Sequence, residues 1–373
     1  MTSGLYVHVP FCTTRCPFCA FAITTQLDRR NDWRATLSRE IELWSRSWTE
    51  PVSTIYIGGG TPSQIPADGL AGLFDELRAA FDVSEDVEIC IECHPGHLNV
   101  AALRTLRSAG LTRLSIGVQS FDDDELAALG REHTGAQAIR AIEDARTANI
   151  PSVSIDLLYA LPQRSRAAWE RQIEEAERRA PDHVAAYVLT FEPGTSYTAR
   201  RDRGDLTQPS SETEADLFRW THRRLNDAGF EAYEASNFAR SAEHRSRHNQ
   251  GYWKRRAYLG LGPSAHAFRD ERRWSNPPSI DKWMRAVEQR ELPVSEPLTA
   301  ADIQLERLFL GLRTQDGVEL SEPEFASLSR ALAGLVHDGR AEIHERRLRL
   351  TLDGLAVAES IALGLADELT SRV

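Results

Sequence analysis

The chain has 373 residues, 41% of them hydrophobic and 27% charged, an ordinary globular composition that can bury one large core or a large core and a small one. The formal net charge of −11 argues against a general nucleic-acid-binding protein, because such a protein needs a basic surface. No run reaches the roughly 18 apolar residues that a membrane span requires, and no basic and apolar leader precedes the first predicted strand. We therefore expect a cytoplasmic protein that does not bind nucleic acid.

The first predicted strand, residues 5–9, runs into a loop with three cysteines, Cys12, Cys16 and Cys19. At this spacing all three thiolates can turn inward from one loop toward a single metal centre. Structural zinc and cubane iron–sulfur clusters usually take four protein ligands. His8 could complete a zinc site, although an ordinary strand side chain is the plainer interpretation. A cluster with one iron left open therefore explains the three cysteines better.

Predicted helices and strands alternate from residue 31 to residue 189. Apolar residues at helical spacing indicate the helices, and short apolar runs indicate the strands. Helices are predicted at 31–47, 70–80, 100–109, 135–148 and 167–179, and strands at 52–57, 87–92, 113–117, 153–158 and 183–189. Asn99 is placed to cap the third of these helices, and Gly110 to end it. Such alternation predicts an α/β fold with a parallel sheet, and about six repeats predict a partial (β/α)6 barrel, since a closed barrel needs eight.

Five polar or ligating positions fall at or just past the ends of successive predicted strands. They are Cys12, Gly58, Glu92, Gln119 and Asp156. Because ligands of parallel α/β sheets bind at the carboxyl ends of the strands, we expect one site at this edge. Glu92 ends a strand that should be buried on both faces, so its carboxylate needs a partner such as an ammonium group or a ribose.

A glycine run, Gly58-Gly59-Gly60-Thr61-Pro62, follows the second strand and lets the backbone approach a ligand closely. It does not match G-x-G-x-x-G, and Pro62 delays the next helix, so a phosphate-binding helix terminus is disfavoured. A tight turn without a ligand remains the alternative. Cys90 and Cys93 form a C-x-x-C pair, but their side chains should point to opposite faces of a strand, which argues against a redox or metal pair.

The pattern changes in the second half of the chain. A helix is predicted at 212–227 and an edge strand at 230–234, whereas the stretch to residue 273 is rich in His, Arg, Tyr and Gly without clear periodicity. Helices at 304–312, 322–335 and 355–369, with strands near 343 and at 348–350, predict a small C-terminal α+β, winged-helix-like domain. We expect domains at 1–229, 230–300 and 301–373. The short basic run at 346–349 is interpreted as a solvated face.

The cysteine spacing behind a strand, together with the glycine run, resembles the radical S-adenosylmethionine superfamily. The resemblance implies that Cys12, Cys16 and Cys19 bind three irons of a [4Fe-4S] cluster. It implies that the amine and carboxylate of S-adenosylmethionine chelate the fourth iron. One electron from the cluster would then cleave the sulfonium to a deoxyadenosyl radical.

Three further stretches, 113–122, 129–133 and 154–162, resemble the family that contains oxygen-independent coproporphyrinogen III oxidase and the HemW type of haem chaperone. The resemblance implies a set of residues around S-adenosylmethionine. This set is Tyr6, Phe18, Gly59, Gly60, Thr61, Glu92, Gln119, Arg131 and Asp156. Carboxylates suit an amine and ribose hydroxyls, and a guanidinium suits a carboxylate. Taken alone, Arg131 would be interpreted as part of a surface salt bridge on a helix.

Two features distinguish the types within this family. The oxidase carries a fourth cysteine two residues after the third, where this chain has Phe21. The chain also contains the H-N-x-x-Y-W motif of HemW-type proteins, as His248, Asn249, Tyr252 and Trp253. Imidazole ligates haem iron and aromatic rings stack on a macrocycle, whereas a lone histidine is more often a hydrogen-bonded structural residue. HemW-like members usually have Asp at position 20, here Ala, and Gly at position 160, also Ala here.

The resemblance therefore implies a haem chaperone of HemW type, with a [4Fe-4S] cluster and S-adenosylmethionine, that transfers haem to acceptors such as respiratory cytochromes. It implies an electron donor such as flavodoxin or ferredoxin and is compatible with a homodimer. The alternative is an enzyme. It would be an oxygen-independent coproporphyrinogen III oxidase, which oxidatively decarboxylates propionate side chains, or a related radical methyltransferase or cyclopropanase. The missing cysteine at position 21 disfavours the oxidase.

Overall fold

The computed structural model describes residues 2–370. Its strands are β1 Ser3–Val9, β2 Val52–Gly59, β3 Val83–Cys93, β4 Arg113–Gln119, β5 Ser152–Tyr159, β6 His183–Val188, β7 Glu231–Ala232, β8 Asn237–Ala239, β9 Tyr258–Leu261, β10 His266–Arg269, β11 Arg272–Ser275, β12 Glu296–Pro297, β13 Val318–Glu319, β14 Ala341–His344 and β15 Arg347–Leu350. Its α-helices are α1 Arg30–Ser45, α2 Ala67–Ala80, α3 Val100–Ser108, α4 Asp123–Ala128, α5 Gly135–Thr147, α6 Arg166–Arg179, α7 Ser196–Asp202, α8 Ser211–Asp227, α9 Arg247–Trp253, α10 Ile280–Glu288, α11 Ala300–Leu312, α12 Glu322–Ser327, α13 Ser329–His337, α14 Leu352–Leu355 and α15 Ala358–Thr370. Within residues 2–370, no helix combines the length and the apolar character that crossing a bilayer demands.

The chain divides into two compact units. Unit 1 contains the residues up to Pro209 together with Arg256–Glu296, and unit 2 contains Ser210–Arg255 together with the chain from Pro297 onward. These units do not follow the domain boundaries expected from the sequence at residues 229 and 300. The segment that carries the H-N-x-x-Y-W motif groups with the C-terminal part of the chain, and the stretch after it groups with the sheet of unit 1.

Unit 1 is built on a mostly parallel sheet with the strand order β11-β10-β9-β1-β2-β3-β4-β5-β6. Each strand from β1 to β6 pairs in parallel with the next along the chain. β9 adds a further parallel pair on the other side of β1, and β10 and β11 continue in antiparallel pairs. The predicted α/β class, with six strands in β/α repeats, is confirmed.

Local sequence signals account for the elements of these repeats. Helix α1 buries Trp33, Leu37 and Ile41, which recur at helical spacing. The Asn99 side chain accepts a hydrogen bond from the Ala102 N–H at 3.0 Å, so the predicted cap of α3 is confirmed. The parallel strands are buried along nearly their whole length, as continuous apolar runs require.

Several short elements were not predicted from the sequence. They are the helices α4, α7, α9, α10 and α14 and the strands β8, β9, β10, β11, β12 and β13. The expected edge strand at 230–234 is reduced to two residues, and the helix expected at 322–335 is two helices that meet at Leu328. Each of these elements is at most nine residues long, so it has few periodic positions that distinguish it from its neighbours.

The C-terminal part of unit 2 has its own core. Helices α11, α13 and α15 pack with the antiparallel sheet β13-β15-β14 around Leu308, Leu312, Leu332, Leu348 and Leu365. This combination of helices with a small antiparallel sheet agrees with the α+β character expected from the sequence.

A buried carboxyl group in unit 1 ties α1 to the region after β9. Glu40 accepts hydrogen bonds from the Gly262 N–H at 2.8 Å, from Asn276 Nδ2 at 2.6 Å and from Trp283 Nε1 at 3.1 Å. Burial raises the pKa of Glu40 to about 7, although its three donors oppose that rise. The folded protein therefore keeps a proton that the unfolded chain releases at lower pH.

Replacing Glu40 with Gln should change how stability depends on pH. Because the folded-state pKa is raised, Glu40 contributes stability below its unfolded pKa and loses it as pH rises through about 7. A glutamine removes this titration and cannot accept all three hydrogen bonds. We expect Glu40→Gln to be destabilised more at about pH 5 than at about pH 8, by roughly 1–3 kcal/mol in unfolding experiments. Glu42→Gln, at an exposed position of the same helix, is the control; a constant difference across this range would contradict the prediction.

Candidate functional site

The three predicted cysteine ligands lie on one loop after β1 and are free and half-buried. The Cys19 N–H donates to the Cys16 carbonyl at 3.1 Å, and the Cys12 N–H donates to the Thr24 carbonyl at 3.0 Å. Burial raises the pKa of Cys12, and the charges of Cys19 and Cys16 raise it further. The three sulfur atoms are thus near enough to influence one another's ionisation.

Two arginines hold this loop. Arg15 donates to the carbonyls of Phe21 at 3.0 Å and Ile23 at 3.2 Å, which fixes the chain after the third cysteine. Nη1 of Arg131 lies 3.7 Å from the Cys16 sulfur. The Phe21 side chain is 63% exposed, so it does not fill the loop in place of a ligand. Both guanidinium groups favour the thiolate forms that bind metal.

Three half-buried thiols on one loop, with two guanidinium groups that favour the thiolate form, are a donor set that suits an iron–sulfur cluster. Across residues 2–370 no group of three or more His, Cys, Asp or Glu side chains is gathered as it would be around one metal ion. In a cubane each thiolate binds a different iron, so the ligating sulfurs stand farther apart than the ligands of one ion. His8, the other zinc ligand considered, lies buried in β1 with Nε2 2.8 Å from the Ala22 carbonyl, as expected of a strand side chain.

The glycine run begins in the last two residues of β2 and contacts both the cysteine loop and β3. Gly59 has a φ of 112°, and a Cβ atom there would lie 2.5 Å from the His8 ring. Its N–H donates to the Glu92 carboxylate at 3.0 Å. Next along the chain, the Thr61 hydroxyl lies 3.4 Å from the Cys12 sulfur. The run is therefore a constrained segment that contacts Glu92 through the Gly59 backbone and Cys12 through the Thr61 side chain, and the close approach to His8 disfavours a side chain at position 59.

An alanine at position 59 should disturb this turn. The left-handed φ and the contact with His8 both oppose a side chain, so we expect Gly59→Ala to lower the free energy of unfolding by about 1–3 kcal/mol. Gly72→Ala is the matched control, because an added Cβ in that part of α2 meets no atom within 4 Å. Alanine there should stabilise the protein by about 0.5–1 kcal/mol. Equal effects in urea unfolding would contradict the strain at Gly59.

Two half-buried carboxyl groups, those of Glu92 and Asp156, lie at the centre of the site. Glu92 accepts hydrogen bonds from the Tyr56 hydroxyl at 2.8 Å and from Gly59, and Asp156 accepts one from the Ser115 hydroxyl at 3.0 Å. Burial raises the pKa of Glu92, and burial and then the charge of Glu92 raise the pKa of Asp156 to about 7. Two acids at this depth are suited to a cationic group and to hydroxyls, which is the chemistry of an amino acid joined to a nucleoside.

Arg131 and Gln119 lie at the end of β4. Among the described residues 2–370, Arg131 has no carboxylate within salt-bridge distance, unlike the surface pair considered from the sequence. Its Nη2 donates to the Gly117 carbonyl at 3.1 Å, and its Nε is buried with no hydrogen-bond partner among residues 2–370. Gln119 has a φ of 63°, and its strand pairing shifts register between Ile116 and Gln119. A half-buried guanidinium with one buried, unused donor fits an anionic group such as a carboxylate.

The two aromatic residues of the predicted set flank the other members. The Tyr6 hydroxyl lies 3.1 Å from His8 Nδ1, and its ring stacks on Tyr56 at 6.2 Å. Phe18 packs edge-on against Tyr197 at 6.3 Å. The structure thus places Tyr6, Gly59, Thr61, Glu92, Arg131 and Asp156 in one connected network with the cysteine loop, and Gln119 and Phe18 beside it.

Three contributing residues were not singled out from the sequence. Tyr56 donates to Glu92, and its alternation with Gly58 along β2 was the available signal. His133 Nε2 lies 3.0 Å from the Val118 carbonyl and its Nδ1 lies 3.3 Å from His94 Nε2, which supports the bend that carries Gln119. Tyr197 donates to the Ala128 carbonyl at 2.6 Å, and no local pattern indicates its role.

The H-N-x-x-Y-W motif forms α9 in unit 2. His248 is 3% exposed, and its Nε2 lies 2.8 Å from the Tyr252 hydroxyl. Burial lowers the pKa of His248 to about 3, so the ring is neutral at ordinary pH. The Arg313 guanidinium lies over the Trp253 ring at 4.1 Å from its centre. The motif residues are adjacent as predicted, and the Asn249 N–H is used in capping α9 at Ser246.

The basic residues around the motif are partly neutralised within unit 2. Lys254 pairs with Asp316 at 3.2 Å, and Arg255 pairs with Glu306 at 3.3 Å. An acidic ligand would have to compete with these carboxylates for the two cations.

Comparison with known proteins identifies consistent relatives. The Radical SAM superfamily profile matches residues 6–176. The chain is 35% identical over 365 residues to the heme chaperone HemW of Mycobacterium tuberculosis, covering 96% of this chain and 93% of that protein. It is 33% identical to the mitochondrial radical S-adenosyl methionine domain-containing protein 1 of Danio rerio, covering 96% and 86%. Among solved structures, coproporphyrinogen III oxidase (HemN) from Escherichia coli superposes with a TM-score of 0.85 at 24% identity, covering 98% and 90%.

Proposed function

Because the chain belongs to the HemW family of the radical SAM superfamily, we propose that it is a haem chaperone, which binds haem and passes it to haem-accepting proteins. The observation that carries this proposal is the similarity to HemW over nearly the whole length of both chains. Phe21, which stands where the oxidase has its fourth cysteine, supports the chaperone over the decarboxylating enzyme. The likeness to the oxidase structure is one of fold.

The chaperone would carry a [4Fe-4S] cluster on Cys12, Cys16 and Cys19 and would hold S-adenosylmethionine beside it. The cluster supplies one-electron chemistry at the open iron when it is bound. Glu92 and Asp156 provide negative charge for the amine and acceptors for the ribose, and Arg131 donates to the carboxylate. The Gly59 backbone is buried on this side of the site, and the His8 ring leaves no space for a side chain there.

The cargo and the partners follow from the family. Haem is the cargo, a respiratory haem protein is the acceptor, and flavodoxin or ferredoxin is the electron donor in this proposal. The motif residues His248, Asn249, Tyr252 and Trp253 remain a prediction for haem contact. Ligation of iron by His248 would first require its ring to leave the Tyr252 hydroxyl, because Nε2 is the nitrogen engaged there.

Anaerobic reconstitution followed by haem titration tests the function. We expect a saturable change in the haem absorption spectrum and transfer of haem from the loaded protein to an apo-haem protein. The same preparation, given coproporphyrinogen III, S-adenosylmethionine and reductant, should form no protoporphyrinogen. Absence of any haem-dependent spectral change would end the chaperone proposal, and protoporphyrinogen formation would replace it with the oxidase.

A further inference from the structure

Ligation of haem iron by histidine requires a ring nitrogen that the macrocycle can reach. The motif histidine does not meet this condition as it lies, because His248 is 3% exposed and Nε2 is engaged by Tyr252. His8, His133 and His222 are also buried and use ring nitrogens on backbone carbonyls. A histidine ligand of haem iron is therefore expected among the imidazoles of the described chain that solvent reaches.

His266 is the accessible imidazole of the sheet in unit 1. It opens β10 directly after the turn that follows β9, its side chain is exposed, and its imidazole has no hydrogen-bond partner among residues 2–370. Its backbone packs on Gly260 so closely that no side chain fits there. Because Gly260 lies opposite Tyr6 in the parallel β9–β1 pair, His266 is at the same carboxyl edge as the candidate cofactor site.

His266 also lies near enough to His8 to act on it electrostatically. Burial lowers the pKa of His8, and the neighbouring charge of His266 lowers it further. His8 in turn contacts the Tyr6 hydroxyl and lies against Gly59. The exposed imidazole is therefore within electrostatic range of the residues that surround the cysteine loop.

The face of the sheet around His266 also carries a guanidinium, which suits haem propionates, and aromatic side chains. His266 and Phe268 are two residues apart on β10 and so share a face. The Tyr258 ring stacks on Phe268 at 6.3 Å, and the Arg273 guanidinium lies 5.6 Å from the centre of the Phe268 ring. Arg273 is the strand partner of Phe268, and its charge acts on His266. The exposed imidazole thus lies on the same face as the half-buried Arg273 guanidinium and Tyr258 ring, whereas the Phe268 ring, which both of these contact, is buried.

We propose that His266 ligates the haem iron and that Arg273 pairs with a propionate of the same haem, on the face formed by β9, β10 and β11. The proposal rests on the haem-binding function proposed above. Partial burial of the His266 ring and then the charge of Arg273 lower the pKa of His266. This favours the neutral imidazole, which is the form that ligates iron. The exposed His344 lacks this setting, because Glu342 and Glu345 flank it on the β14–β15 hairpin, where they would repel propionates.

Spectroscopic haem titration of four full-length proteins tests the assignment: wild type, His266→Ala, His248→Ala and His344→Ala, each reconstituted anaerobically. We expect His266→Ala to lose the spectrum of histidine-ligated ferric haem and to bind haem at least about tenfold more weakly. Adding free imidazole to His266→Ala should restore that spectrum. His248→Ala and His344→Ala should keep it. Cluster absorption, measured in all four, confirms that the sheet has folded.

Arg273→Gln gives a second measurement. It should leave the ligation spectrum unchanged and weaken binding of haem more than binding of haem dimethyl ester, which has no free propionates. A wild-type spectrum in His266→Ala, or its loss in His248→Ala alone, overturns the assignment while leaving the chaperone function in place. Failure of the wild type to bind haem overturns both.

Discussion

Replacing Cys12, Cys16 or Cys19 with Ser is expected to abolish the visible absorption of the reconstituted cluster in each single variant. Each cysteine would supply the protein ligand of a different iron, and a serine hydroxyl is a much poorer ligand than a thiolate. The three thiols lie on one loop. Position 21 of this chain is Phe, so no neighbouring cysteine there can replace a lost ligand. Iron and sulfide content, with the absorption spectrum, measures the result.

Cys90→Ala and Cys93→Ala are the matched controls for these variants. Both residues are free cysteines buried in β3, and neither belongs to the cysteine loop. They should keep full iron content. Retention of the cluster in all three loop variants would remove the basis for the cofactor site, whereas loss in the β3 variants would show that any buried cysteine change unfolds the sheet.

Glu92→Gln is expected to weaken binding of S-adenosylmethionine by about a hundredfold, roughly 3 kcal/mol. The amide has the shape of the carboxyl group and can still accept from the Gly59 N–H while it donates to the Tyr56 oxygen. The substitution therefore removes negative charge and little else. Glu92 is half-buried and burial raises its pKa, so solvent screens its attraction for a cationic amine less than it would at an open surface.

Equilibrium dialysis with the reconstituted protein measures this loss. Glu85→Gln, at an exposed position near the start of the same strand, should bind S-adenosylmethionine as the wild type does. Unchanged binding by Glu92→Gln would show that the carboxylate supports the glycine run without contacting the ligand. A cluster content equal to wild type in both variants makes the comparison valid.

The repeats of the sheet were predictable because their signals are local. A helix such as α3 has its own cap at Asn99 and its own buried face, and β2 and β5 each contain a short apolar stretch within a largely buried strand. Strand β9 was missed because Tyr258-Leu-Gly-Leu is short and contains a glycine. Its partner β1 is adjacent in the sheet but lies near the start of the chain, far from β9 in sequence. No local pattern reports such a pairing.

The site was predictable to the extent that it follows strand ends. The carboxyl-edge rule and the resemblance together indicated Glu92, Gln119 and Asp156, since parallel strands bring their ends to one place. The rule says nothing about residues that act between strands, so the hydrogen bond from Tyr56 and the support of Val118 by His133 were missed. It also cannot foresee that the imidazole of His248 is buried against Tyr252.

The position of β1 between β2 and β9 affects how the protein can be synthesised. On the ribosome β2 emerges soon after β1, but β9 emerges only when the chain has been made as far as Tyr258–Leu261. Until then the strand that leads into the cysteine loop has one open edge, with backbone groups free to pair with another chain. A chain truncated before Tyr258 would keep that edge permanently. Only when the chain has been made beyond Leu261 does β1 gain a partner on both sides, and we expect loading of iron and sulfide to follow that point.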